Sequence, residues 1–279
     1  MKHLRKFNES VSGDFPTDPD EIRKICEEIR VVPSKIHPDG TVDVIGNVDF
    51  DPIPSLPWVP SFMLYHETGN PNDTKTFKNG RLPIKFGIVT EGFNIRGGGL
   101  TTLEGSPQSV KYFFCRDNDL TDLKGAPDKV ELNFTLANCN ELTSLNGLSK
   151  YIGASLWVKS CKKLWDVRTL KDTFFEKRYT LSFNHTPVED FLKLFGKEKF
   201  IDSLIFNYIR RTPDGHRAIN LFRFKEALED AEIPIEKVYG ESPQWSYYDI
   251  PTPKYFGRHW QWIFVNDEGQ RVNLNGERI

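Results

Sequence analysis

Leu100-Thr101-Thr102-Leu103-Glu104-Gly105-Ser106-Pro107 returns as Leu120-Thr121-Asp122-Leu123-Lys124-Gly125-Ala126-Pro127, and again as Leu142-Thr143-Ser144-Leu145-Asn146-Gly147-Leu148-Ser149. Leu164 and Val167 begin a fourth, degraded copy. The leading leucines stand 20, 22 and 22 residues apart. A period that short fits a solenoid built one turn per repeat and excludes the paired-helix repeats, which need about 33 residues or more.

Three positions after each proline, or after Ser149, comes an apolar residue: Val110, Val130 and Ile152. Alternating stretches then lead to the next leucine, Phe93-Asn94-Ile95, Phe113-Phe114-Cys115, Phe134-Thr135-Leu136 and Leu156-Trp157-Val158. In a strand, side chains two apart share a face, so the outer members of each trio turn into the core and their neighbours turn out. The outward set forms two rows, Asn94, Phe114, Thr135 and Trp157 in one and Arg96, Arg116, Ala137 and Lys159 in the other, with neighbours about 4.8 Å apart.

The repeated Leu-Thr-x-Leu-x-Gly-x-Pro units, Asn118 before Leu120 and Asn140 before Glu141-Leu142 resemble the short-repeat leucine-rich proteins, in particular those of large tailed bacteriophages and some bacterial effectors. Gly46-Asn47-Val48-Asp49-Phe50 and Leu82-Pro83-Ile84-Lys85-Phe86-Gly87 are similar to phrases found ahead of the repeats in such phage proteins. The resemblance spans about residues 40 to 232 and implies an α/β solenoid whose leucine-rich-repeat sheet binds a protein partner on its concave face. It also gives Cys139 and Cys161 a bland role in the turn after each strand, where such repeats use Asn or Cys to satisfy buried backbone groups.

The chain is expected to be arranged as an arm over 1–16, a capping helix in 17–40, a solenoid over 41–232 carrying an insertion at 51–80, and an aromatic-rich hairpin cap over 233–279. Asp18, Pro19 and Glu21 give an N-cap, a first-turn proline and a capping-box acid, and Ile22, Ile25, Cys26 and Ile29 recur at helical spacing, so a helix runs from about Pro19 to Arg30. Tyr179–Phe183 and Ser203–Phe206 read as further strands of one sheet reaching from Leu82, with a helix from about Val188 to Leu194 between them. Phe222, Phe224, Ala227 and Leu228 mark a closing helix, and Trp260–Val265 with Val272–Leu274 flank the turn Asn266–Gly269 as a β-hairpin cap.

Composition narrows the function classes. Thirty-seven Lys and Arg against 39 Asp and Glu leave no global positive field, which argues against nucleic acid as partner. Cys26, Cys115, Cys139 and Cys161 form no Cys-x-x-Cys pair, the six histidines fall in no ligand spacing, and Gly97-Gly98-Gly99 runs into Leu100 without a following Lys-Ser or Lys-Thr. Neither a metal, a cofactor nor a catalytic constellation is therefore expected. No apolar run reaches the roughly 20 residues of a membrane span, and the opening lacks a secretory core.

Two large aromatics and three cations on one sheet are what a recognition surface needs, since aromatics and arginine dominate binding hot spots; the alternative is that Trp157 and Phe114 pack under the 51–80 insertion or the C-terminal hairpin. Asn94, Arg96, Phe114, Arg116, Thr135, Trp157 and Lys159 are the expected partner-binding residues of a non-enzymatic module. Met1–Ser10 resembles the leaders of large-phage proteins that are cut after a Glu by a prohead protease, which makes Glu9 the candidate cleavage site. That resemblance implies either the cytoplasm of a host bacterium, with a host protein as target, or packaging inside the virion.

Overall fold

The structure, a computed structural model of the chain, describes residues 14–50, 77, 79–176, 178–202, 209–211, 217–234, 244–245, 251–252, 263–273 and 275–279. Glu9, most of the 51–80 insertion, Ser203–Phe206 and Trp260–Trp262 lie outside them. Two compact units are formed, Met1–Leu164 with Asp172–Thr186, and Trp165–Lys171 with Pro187–Ile279.

The first unit opens with α1 (Pro19–Glu28), whose Asp18 side chain accepts from the Asp20 and Glu21 amides at 3.1 and 2.9 Å. That cap satisfies two of the orphan donors of the first turn, and the helix buries Ile22, Ile25 and Cys26. The strands β1 (Lys35–Ile36), β2 (Val42–Val44), β3 (Val48–Asp49), β4 (Phe86–Arg96), β5 (Ser109–Arg116), β6 (Lys129–Val130), β7 (Asn133–Ala137), β8 (Tyr151–Ile152), β9 (Ser155–Lys159), β10 (Phe174–Phe175) and β11 (Thr180–Ser182) join in one sheet. Apart from the antiparallel β1–β2 pair, every pairing in it is parallel, the signature of a β-solenoid, here of about four turns.

Two ladders run along the solenoid. The first aligns Val89, Val110, Val130 and Ile152; the second aligns Val48, Phe93, Phe113, Phe134, Leu156 and Leu181. β4 and β5 pass through both, with a register shift between Val89 and Gly92. Leu100, Leu120, Leu142 and Leu164 are fully buried, as are Leu103, Leu123 and Leu145. A phenylalanine spine strengthens the core, with ring centroids 5.0 Å apart for Phe86–Phe93, 6.0 Å for Phe93–Phe113 and 4.9 Å for Phe113–Phe134.

The corner after the second ladder turns on one left-handed residue in each turn: Gly97, Asp117, Asn138, Ser160 and His185, with φ between 53 and 61°. In the last four of these turns the residue after it points inward and binds buried backbone. Asn118 Nδ2 donates to the Arg116 and Ile95 carbonyls at 2.9 and 3.2 Å, and its Oδ1 accepts from the Leu100 amide at 3.0 Å. Cys139 and Cys161 reach the Ala137 and Lys159 carbonyls at 3.6 Å, and Thr186 reaches Phe183 at 2.7 Å. At the opposite corner Gly125 and Gly147 have φ of 85 and 90°, and a Cβ on either would lie 2.4 or 2.6 Å from the backbone of the preceding turn. The glycine of the repeated octad is therefore dictated by conformation and by stacking distance together.

A further turn precedes the first octad. The Thr101 amide donates to the Gly80 carbonyl at 2.7 Å as the Thr143 amide does to Thr121 at 3.0 Å, and Phe77 donates to Gly98. The tail of the expected insertion thus already belongs to the stack.

The second unit has its own core. The helices α2 (Glu189–Phe195), α3 (Lys197–Asp202) and α4 (Leu221–Asp230) bury Phe191, Phe195, Phe200 and Phe224. A separate three-stranded sheet joins β12 (Ile209–Arg211), β13 (Arg217–Asn220) and, in chain order after the short pair β14 (Gln244–Trp245) and β15 (Pro251–Thr252), β16 (Ile263–Val265). Among the described residues the solenoid ladder ends at β11, and the strand expected at Ser203–Phe206 lies outside them. The closing hairpin exists at the Val265–Arg271 bridge, but β16 also pairs in parallel with β13, which the local turn signal did not encode.

Candidate functional site

The outward residues of the second ladder are brought side by side by strand register. Asn94 pairs with Phe114, Phe114 with Thr135, and Thr135 with Trp157; one step along, Arg96 pairs with Arg116, Arg116 with Ala137, and Ala137 with Lys159. Period-two alternation on a parallel, unslipped ladder is what carries both rows to one face. A third row, Gly92, Tyr112, Asn133 and Ser155, precedes them and was missed, although the same alternation read two residues earlier points to it.

Exposure within the face is uneven. Trp157 is 42% exposed and Lys159 is exposed, while Asn94, Arg96, Phe114 and Arg116 are half-buried. Thr135, read from the sequence as an open contact residue, is only 9% exposed, and Ala137 beside it 2%. Both are small residues flanked in register by large ones. Thr135 lies in register between Phe114 and Trp157, whose strands stand roughly 9.6 Å apart as second neighbours.

The polar groups are organised as well. Arg96 Nε lies 3.3 Å from Asp117 Oδ2, and Asn138 Nδ2 donates to Asp117 Oδ1 at 2.8 Å, so one acid tempers the cationic edge. At the other end Asn94 Nδ2 donates to Asp49 Oδ1 at 3.0 Å. Tyr112 stacks on Phe114, centroids 6.2 Å apart and 12° from parallel, extending the aromatic strip towards the third row.

Other chemistry-bearing groups are structural in their surroundings. The hydrogen bond to Cys139, together with burial, holds the Cys115 and Cys161 thiols above the ordinary range, and burial pushes Cys26 up to about 11. Thiols in that state are poor nucleophiles; Cys139, held below the ordinary range by its hydrogen bonds with Cys115 and Cys161, is fully buried and so closed to reagents. His37 Nε2 sits 2.7 Å from Asp43 Oδ2, but Asp43 Oδ1 accepts from the Ile88 amide at 2.8 Å and the nearby Ser34 hydroxyl donates to the Asp43 carbonyl. The cluster clips β1 and β2 onto β4. An open cleft of about 810 Å³ includes Asp14, Phe15, Arg81, Lys85 and Glu104, with Arg81 4.3 Å over the Phe15 ring; its charges of both signs give it no single preference.

Among the described residues no group of three His, Cys, Asp or Glu side chains is placed to hold a metal ion, and no helix is long and apolar enough to cross a membrane. Comparison with known proteins finds no matching family model, curated protein or solved structure.

Proposed function

We propose that this chain is a leucine-rich-repeat binding module that engages a protein partner through the outer face of its second ladder. The observation that carries the reading is the in-register convergence of Phe114 and Trp157 with Arg96, Arg116 and Lys159 on one rigid sheet. A preformed surface loses little conformational entropy on contact, and its aromatic and cationic content is that of a binding hot spot. The recurring Leu-x-x-Leu-x-Gly unit and the inward Asn118, Cys139 and Cys161 support the leucine-rich-repeat assignment. In this reading α1 caps one end of the repeats, and the module is phage-encoded and acts on a host protein in the bacterial cytoplasm.

The test is affinity purification of tagged full-length protein from phage-infected cells, side by side with Trp157→Ala and Arg116→Ala. A host protein held by the parent and lost, about tenfold or more, with either variant supports the reading. Equal retention by all three removes this face as the binding site. The leader-like opening supports a second reading, a capsid-packaged protein; mass spectrometry of purified virions finding a chain that begins at Ser10 would favour it.

A further inference from the structure

We draw no further inference here: the strongest candidate, the surface patch on the outer face of the first ladder where the Tyr151 and Phe174 rings stack 5.6 Å apart and Phe174 is exposed, carries nothing because no described residue shows what covers it.

Discussion

Leu120→Ala tests the stack at its centre. Leu120 is fully buried between Leu100 and Leu142, one turn below and one above. Truncation removes three carbon groups at about 0.8 kcal/mol each, or about 2.4 kcal/mol. Layers on both sides are held at strand spacing by the ladders, so the site collapses poorly; a residual void of about 50–80 Å³ adds about 1–2 kcal/mol at roughly 24 cal/mol per Å³. The expected loss is about 3.5–4.5 kcal/mol. Urea unfolding followed by far-UV circular dichroism measures it, and hydrogen exchange locates it, since loosening should reach the amides of β5 and β7 before those of α4. A loss under about 1 kcal/mol, or protection lost first in the second unit, would refute a continuous packed column at this position.

Gly125→Ala combines φ of 85° with a Cβ 2.4 Å from the Glu104 amide nitrogen and should cost about 3 kcal/mol or more, whereas Gly97→Ala, with open space around it, should cost about 1 kcal/mol; paired denaturant titrations compare the two. Burial opposes the Asp43 charge, yet the Ile88 N–H and His37 outweigh it and hold the carboxyl below the ordinary range. The ionised form is thus favoured by folding: its contribution is fully present above about pH 4, the unfolded value, and is lost as pH falls through the lower folded one, so Asp43→Asn should flatten the acid limb of a stability–pH curve and the Ile88 amide should lose protection, relative to its intrinsic exchange rate, in acid. All four cysteines are buried, so at pH 8 a thiol reagent should label less than about one thiol per folded chain and four after unfolding.

The solenoid was legible because its signal is periodic. Three copies of one octad, with valine or isoleucine always three residues past Pro107, Pro127 or Ser149, determine which side chains share a column, and the register of the second ladder follows. Alternation also identified the Phe114–Trp157 and Arg116–Lys159 rows, because only geometry within one strand was needed. Alternation says nothing of depth. Thr135 is sunk by the size of its neighbours one strand away, a pairwise property that no window along the chain contains. The turn at Phe77 and Gly80 was missed because its octad is degraded: Leu82 keeps the second leucine, but Asn79 stands where the leading leucine would be. The parallel pairing of β13 with β16 joins residues more than forty positions apart with no repeat to align them.

The corners have a consequence for how such a chain changes length. From Leu100 to Val110, Leu120 to Val130 and Leu142 to Ile152 the count is invariant at ten residues, the stretch holding the glycine that touches the turn below. The difference between a 20-residue and a 22-residue turn is taken up elsewhere, one residue between Val130 and Phe134 compared with Val110 and Phe113, and one between Leu136 and Leu142 compared with Cys115 and Leu120. Insertions and deletions are thus absorbed on either side of the second-ladder strands, which keep their alignment. Natural or engineered gain of a whole turn would lengthen the face by one rung and add three outward side chains without disturbing those already there.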